Sequence, residues 1–223
     1  MEQELDINQV RFENPIAYEA HFSEVVDVFR MDGEYFRPRY KQIRKLIETY
    51  KGGYEPLKQR VQCMSPNITP TNTPFEGFHY IELSNINPRI GIVTGNKEVF
   101  GKDAPSRARR KVTTGDIIAS AVVGSVDKAA LISESEEGYL ASTGFFHFRS
   151  DPYSPEYLLI LLRSPIMTEQ LIQQATGGIL SAVPESNLKH IILPILPDNI
   201  QKEITDLVQK SHSCFRESRQ LLE

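Results

Sequence analysis

Cysteine is scarce in this chain of 223 residues: Cys63 and Cys214 lie far apart, no Cys-x-x-Cys pair occurs, and the five histidines never fall at metal-ligand intervals. That pattern excludes a disulfide framework and a structural zinc site. Long apolar runs are missing too. Leu158 to Leu162 is among the longest, whereas a membrane-spanning helix needs about 20 such residues. Met1-Glu2-Gln3-Glu4 has neither the basic start nor the apolar stretch of a signal peptide. The expectation is a cytoplasmic protein with no membrane partner.

Catalytic motifs are absent as well. An enzyme acting on adenine in DNA needs an Asp/Asn-Pro-Pro-Tyr type loop and a glycine-rich loop for S-adenosylmethionine; Asp151-Pro152-Tyr153 has one proline too few and precedes a helix as a turn. Gly91 to Lys97 resembles a phosphate loop but is one residue short before the lysine and lacks the following Ser or Thr. No paired carboxylates with a following lysine suggest a metal nuclease, and no Gly-x-Ser-x-Gly elbow is present. The chain therefore reads as non-catalytic, with no metal and no cofactor of its own.

What the sequence does contain is an uneven distribution of charge. The formal net charge of -4 argues against a phosphate-rich partner, but the average conceals two opposite regions. Met1 to Glu34 carries nine acids against Arg11 and Arg30, while Arg89 to Lys128 carries eight basic residues against four acids. Arg107, Arg109, Arg110 and Lys111 read as a loop just before a strand, where flexible cations can meet phosphates or a base edge. Lys128, Ser142 and Thr143, near predicted strand ends, could add ammonium and hydroxyl donors. A solvated charge run and ordinary turn residues would give the same pattern.

Periodicity divides the chain into an acidic arm and helix over 1–53, a compact β-rich domain over 54–197 and a long helix over 198–223. The class is α+β. Tyr40, Ile43, Leu46, Ile47 and Tyr50 mark the first helix, ended by Gly52-Gly53. Strands are predicted at Phe78–Leu83, Ile117–Val123, Ala129–Ile132, Gly138–Phe148 and Ile191–Leu196, with helices opening at Pro155 and Pro165. Asp198 and Gln201 suggest a capping box for the last helix, which at 1.5 Å per residue would run roughly 36 Å. Its apolar positions follow a four-three spacing. Ile204, Leu207, Val208, Phe215 and Leu221 form a stripe for a second helix, with small residues Ser211, Cys214 and Ser218 allowing close approach. A terminal helix folded back on its own domain is the other reading.

Several segments in order resemble the DNA-specificity subunits of type I restriction-modification systems: Arg110 to Ser120, Gly138 to Ser142, Tyr157 to Ser164, Ala175-Thr176-Gly177, and Leu188 to Ile195 with Gln201. Arg30 to Phe36 is similar to the segment that precedes recognition domains in that family. The resemblance implies a target recognition domain followed by a spacer helix. Such a domain reads one half of a split site in double-stranded DNA. Paired helices set the distance between the halves and dock methyltransferase subunits, which bind S-adenosylmethionine, and the full assembly adds a restriction and translocase subunit. Family members typically carry two recognition domains. One domain here implies either a half-subunit that forms a homodimer or one half of a longer chain. The rival readings are the recognition end of a single-chain restriction-methylation enzyme and an interaction module that has lost DNA binding.

Overall fold

The computed structural model describes residues 19–178 and 181–221. Most of the acidic arm, and residues 222 and 223 at the end of the expected last helix, lie outside the described residues. Two helices open the described chain, α1 (Phe22–Val28) and α2 (Pro38–Glu48). Pro38 sits at the first helical position of α2, where its missing N–H costs nothing, and Tyr40, Ile43 and Ile47 turn one buried face toward the domain.

Short strands follow: β1 (Tyr54–Pro56), β2 (Val61–Cys63), β3 (Gly77–Ile81), β4 (Ile86–Asn87), β5 (Ile92–Val93), β6 (Lys97–Phe100), β7 (Ala108–Lys111), β8 (Ile117–Ser120), β9 (Ala129–Leu131), β10 (Leu140–Ser142) and β11 (Phe145–Ser150). Helices α3 (Pro155–Arg163) and α4 (Pro165–Gln174), strand β12 (Ile192–Pro194) and helix α5 (Asp198–Gln220) complete the order. Both middle helices start on a Ser-Pro pair. The Ser154 and Ser164 hydroxyls accept from the Tyr157 and Met167 backbone N–H groups, capping donors that the first turn leaves free.

Two four-stranded sheets form the body, one in the order β6-β3-β10-β7 and the other β2-β11-β8-β9. Their pairings are antiparallel except β3 with β10, which run parallel. The predicted strand Gly138–Phe148 is in fact two. It breaks at Thr143-Gly144, where the Gly144 N–H donates to Ser142 Oγ at 3.1 Å, and its halves β10 and β11 enter different sheets.

Strand β8 shows why the two sheets cohere. All four of its residues are buried; Ile117 and Ala119 join the large core beneath Tyr157, Leu158 and Leu162 of α3, while Ile118 joins Ile81, Val112, Ala141 and Phe145. A strand with a period of two can serve two cores only when both faces are covered. Ile43 and Ile47 of α2 pack on Ile192 of β12, so the first long helix shares a core with the strand that leads into α5.

Helix α5 begins differently from the expected capping box. Pro197 occupies the cap position without a side-chain bond, its carbonyl accepts from Ile200 and Gln201, and the Gln201 amide reaches back to the Leu196 carbonyl at 2.7 Å. Asp198 is the first helical residue, where its carboxylate complements the positive end of the helix dipole.

Candidate nucleic-acid interface

The segment expected to be a basic loop is strand β7, and its four residues alternate in burial. Arg107, just ahead of it, is exposed; Arg109 is half-buried and Lys111 exposed. Arg110 is 6 % exposed. One of its terminal nitrogens donates to the Met64 carbonyl and the other faces Glu185 at 3.7 Å. Burial pulls its pKa down, with Glu185 opposing that shift. Arg110 is therefore a corrected assignment: its guanidinium is engaged inside the protein and does not face a solvent-side ligand.

No β-propensity signal marks Ala-Arg-Arg-Lys as a strand; tertiary pairing makes it one. β10 pairs along one side, and along the other Asn67 imitates a strand, donating to the Lys111 carbonyl at 3.2 Å and accepting from the Lys111 N–H at 2.8 Å. Asn67 and Glu185 were missed because they are distant in sequence and carry no motif.

At the start of β7 several loops meet in a rim. Thr143 N–H donates to the Arg107 carbonyl at 2.8 Å, Ala121 N–H to Gly144 at 3.0 Å, and Ser120 N–H to Lys128 at 2.8 Å. Val183 N–H donates to Ala121 and Val123 N–H to Ser181, which adds the chain after α4 to the same rim. The structure thus brings Arg107, Ser142 and Thr143 together and links Lys128 to them through backbone bonds. Their side chains differ in availability. Lys128 is half-buried with its ammonium on the Leu83 carbonyl at 3.1 Å, and Ser142 is buried, its hydroxyl shaping the Gly144 turn. Arg107 and Lys111 are the exposed members of the set, with Thr143 and Arg109 half-buried.

An ionic cluster around buried Asp116, reaching out to exposed Arg149, holds the turn that joins β7 to β8. Asp116 is fully buried; its carboxylate accepts from Thr113 Oγ1 at 2.7 Å and from Arg149 Nε at 2.9 Å, and lies 2.7 Å from His147 Nε2. Burial alone would raise its pKa, but these bonds together hold it well below the usual carboxylate range. Tyr153, in the Asp-Pro-Tyr turn, is 9 % exposed and donates to Glu55, while Arg60 lies over its ring with 5.1 Å to the centroid. A ring fixed in that way has no face open to a base.

The stripe on α5 is two stripes. Val208 is buried and Ile204 half-buried against the large core, so both pack on their own domain, and the expectation that they face a second helix is corrected. His212 continues that inner face, its Nε2 2.8 Å from the Ile90 carbonyl. Phe215 is half-buried along a cleft of about 970 Å³ between α5 and the β5 and β9 region. Leu207 and Leu221 are 60 % and 87 % exposed, and Ser211, Cys214 and Ser218 between them are exposed too. Among the described residues, no helix is long and apolar enough to cross a membrane.

Two four-stranded sheets, a rim of loops beside an exposed arginine, and a long helix with an exposed outer stripe make up an α+β fold. In fold, the chain is a structural relative of the specificity subunits of type I restriction-modification systems, over about three quarters of its length. One similar structure comes from work on complex assembly and conformational transition of a type I restriction-modification system; it shares 30% identity at a TM-score of 0.61, covering 75% of this chain and 44% of that one. Another is the HsdS subunit of Thermoanaerobacter tengcongensis, at 28% identity and a TM-score of 0.60, covering 77% of this chain and 44% of that one. The chain thus spans less than half the length of these solved relatives. No family profile and no curated protein matches the sequence.

Proposed function

We propose that the chain is a specificity subunit, or one half of one, that binds double-stranded DNA and directs an adenine-N6 methyltransferase to one half of a bipartite site. In the full assembly it directs a restriction and translocase subunit to the same place. The observation that carries this reading is the loop rim: Arg107 stands exposed beside Thr143 at a place where four connections are laced by backbone hydrogen bonds. Fixed loops can read base edges, and an arginine is suited to the paired acceptors of guanine. Exposed Lys111 adds a phosphate contact. The outer stripe of α5 supports docking of a second copy or a second recognition half. The chain contributes recognition, and S-adenosylmethionine belongs to the methyltransferase.

Adenine methylation mapped across the source genome, with the gene intact and deleted, tests the reading. Loss of one split motif on deletion is the expected result, and a symmetric motif would indicate two identical halves. An unchanged methylome would overturn the delivery role. The net charge of -4 then favours the rival reading as an interaction module without DNA binding.

A further inference from the structure

Arg30 lies far from the rim in sequence, yet a continuous set of bonds connects them. The last carbonyls of a helix have no donor within it and must find one elsewhere. At the end of α4, Arg30 Nη1 donates to the carbonyls of Gln173 at 3.2 Å and Ala175 at 2.9 Å, and Asn187 Nδ2 donates to that of Gln174 at 2.9 Å. Arg30 is itself fixed. It makes a two-pronged pair with Asp32 at 2.7 and 3.0 Å, and its guanidinium lies over the Tyr35 ring, 4.6 Å from the centroid. Asp32 also accepts from the Tyr35 N–H, while the Gln173 and Gln174 side-chain amides donate to the Tyr35 carbonyl and hydroxyl. The segment and the helix end therefore clasp each other from both sides.

The chain leaves this clasp at Ala175 and enters the rim at once. Thr176 and Ala182 exchange a pair of backbone bonds at 2.9 and 3.0 Å; Val183 then bonds to Ala121, Ala121 to Gly144, and Thr143 to Arg107. A cation at a helix C-terminus is favourable in any case. A planar fork bridging two carbonyls and a carboxylate also fixes where the next residue starts.

We propose that Arg30 is a positioning residue for the rim, setting the end of α4 from which Thr176, Val183 and, through them, the Thr143 and Arg107 connections take their places. This rests on the reading of the rim as the DNA interface. The test uses the full chain with Arg30→Ala, and Arg30→Lys as the milder variant should the first fail to fold. Amide hydrogen exchange at Thr176, Ala182, Val183, Val123 and Thr143 is expected to speed up about tenfold, while Ile118 and Phe146 in the sheet stay as they were. Binding to a duplex carrying the mapped motif is expected to weaken about tenfold, but less than about twofold further when Arg107 is already alanine. Unchanged exchange at those amides overturns the proposal, as does a full additional loss of binding in the Arg107→Ala background. If the unaltered chain, with its methyltransferase, binds no DNA while the amides respond, the DNA reading falls and the clasp stands.

Discussion

In β7 a charged side chain is inside, and in α5 a large apolar one is outside. Both reverse the usual sorting, yet they differ in what meets them. Arg110 finds the Met64 carbonyl and, at 3.7 Å, Glu185 within its own chain, so two of its three nitrogens are met although its Nε has no partner. Leu207 and Leu221 stay mostly exposed, although Val208, one position from Leu207, is packed into the core. A buried cation held by its own chain belongs to the scaffold, whereas the exposed leucines are the surface proposed for docking.

Four variants break or sharpen that contrast, beginning with the best-answered buried charge. Asp116→Asn removes the carboxylate that Arg149, His147 and Thr113 all address, and is expected to cost about 4 kcal/mol in urea unfolding. Because the folded-state pKa of Asp116 is depressed, its contribution is complete above its unfolded value of about 3.9 and fades as the pH falls below it. Stability of the unaltered protein should therefore decline below about pH 4, and the asparagine variant should lose part of that dependence. Arg110→Ala should cost about 2 kcal/mol, since it removes a buried side chain and leaves the Met64 carbonyl without its donor; a loss under about 0.5 kcal/mol would break the contrast.

Arg107→Ala is expected to leave the unfolding midpoint alone and to weaken DNA binding about tenfold, or ~1.4 kcal/mol, with the salt slope reduced by about one. Equal binding across a salt titration would remove Arg107 from the interface. The double change Leu207→Asp with Leu221→Asp should alter the stability of a single copy by no more than about 0.5 kcal/mol while abolishing assembly through α5 in sedimentation. Assembly that survives would show that the outer stripe is only exposed, not used.

Much of the scaffold could be read from local chemistry. Ser154-Pro155 and Ser164-Pro165 announce two helix starts, the spacing of Tyr40, Ile43 and Ile47 gives α2, and the length of α5 follows from its unbroken period. What could not be read was decided by partners distant in the chain. Ala-Arg-Arg-Lys becomes a strand because β10 and Asn67 flank it, and Arg110 turns inward because the strand's alternation puts it on the buried face, where the Met64 carbonyl accepts from it. The four-three spacing of α5 was visible, but its division was not: Ile204 and Val208 are claimed by a core that includes Phe146 and Leu158, which no helical period can foretell. Of the candidate site, Arg107 and Thr143 were placed together by the β10–β11 break, a turn hidden inside what reads as one continuous strand.

From either end the exposed stripe of α5 spells leucine, serine, cysteine, serine, leucine at positions 207, 211, 214, 218 and 221. The residue types read alike in both directions, although the spacing runs four-three one way and three-four the other. A two-fold contact uses the same patch on both copies, and small residues between two leucines would let a second copy approach closely. Under the proposed function, two copies joined in that way would approach DNA in opposite senses, and the site they read would be an inverted repeat.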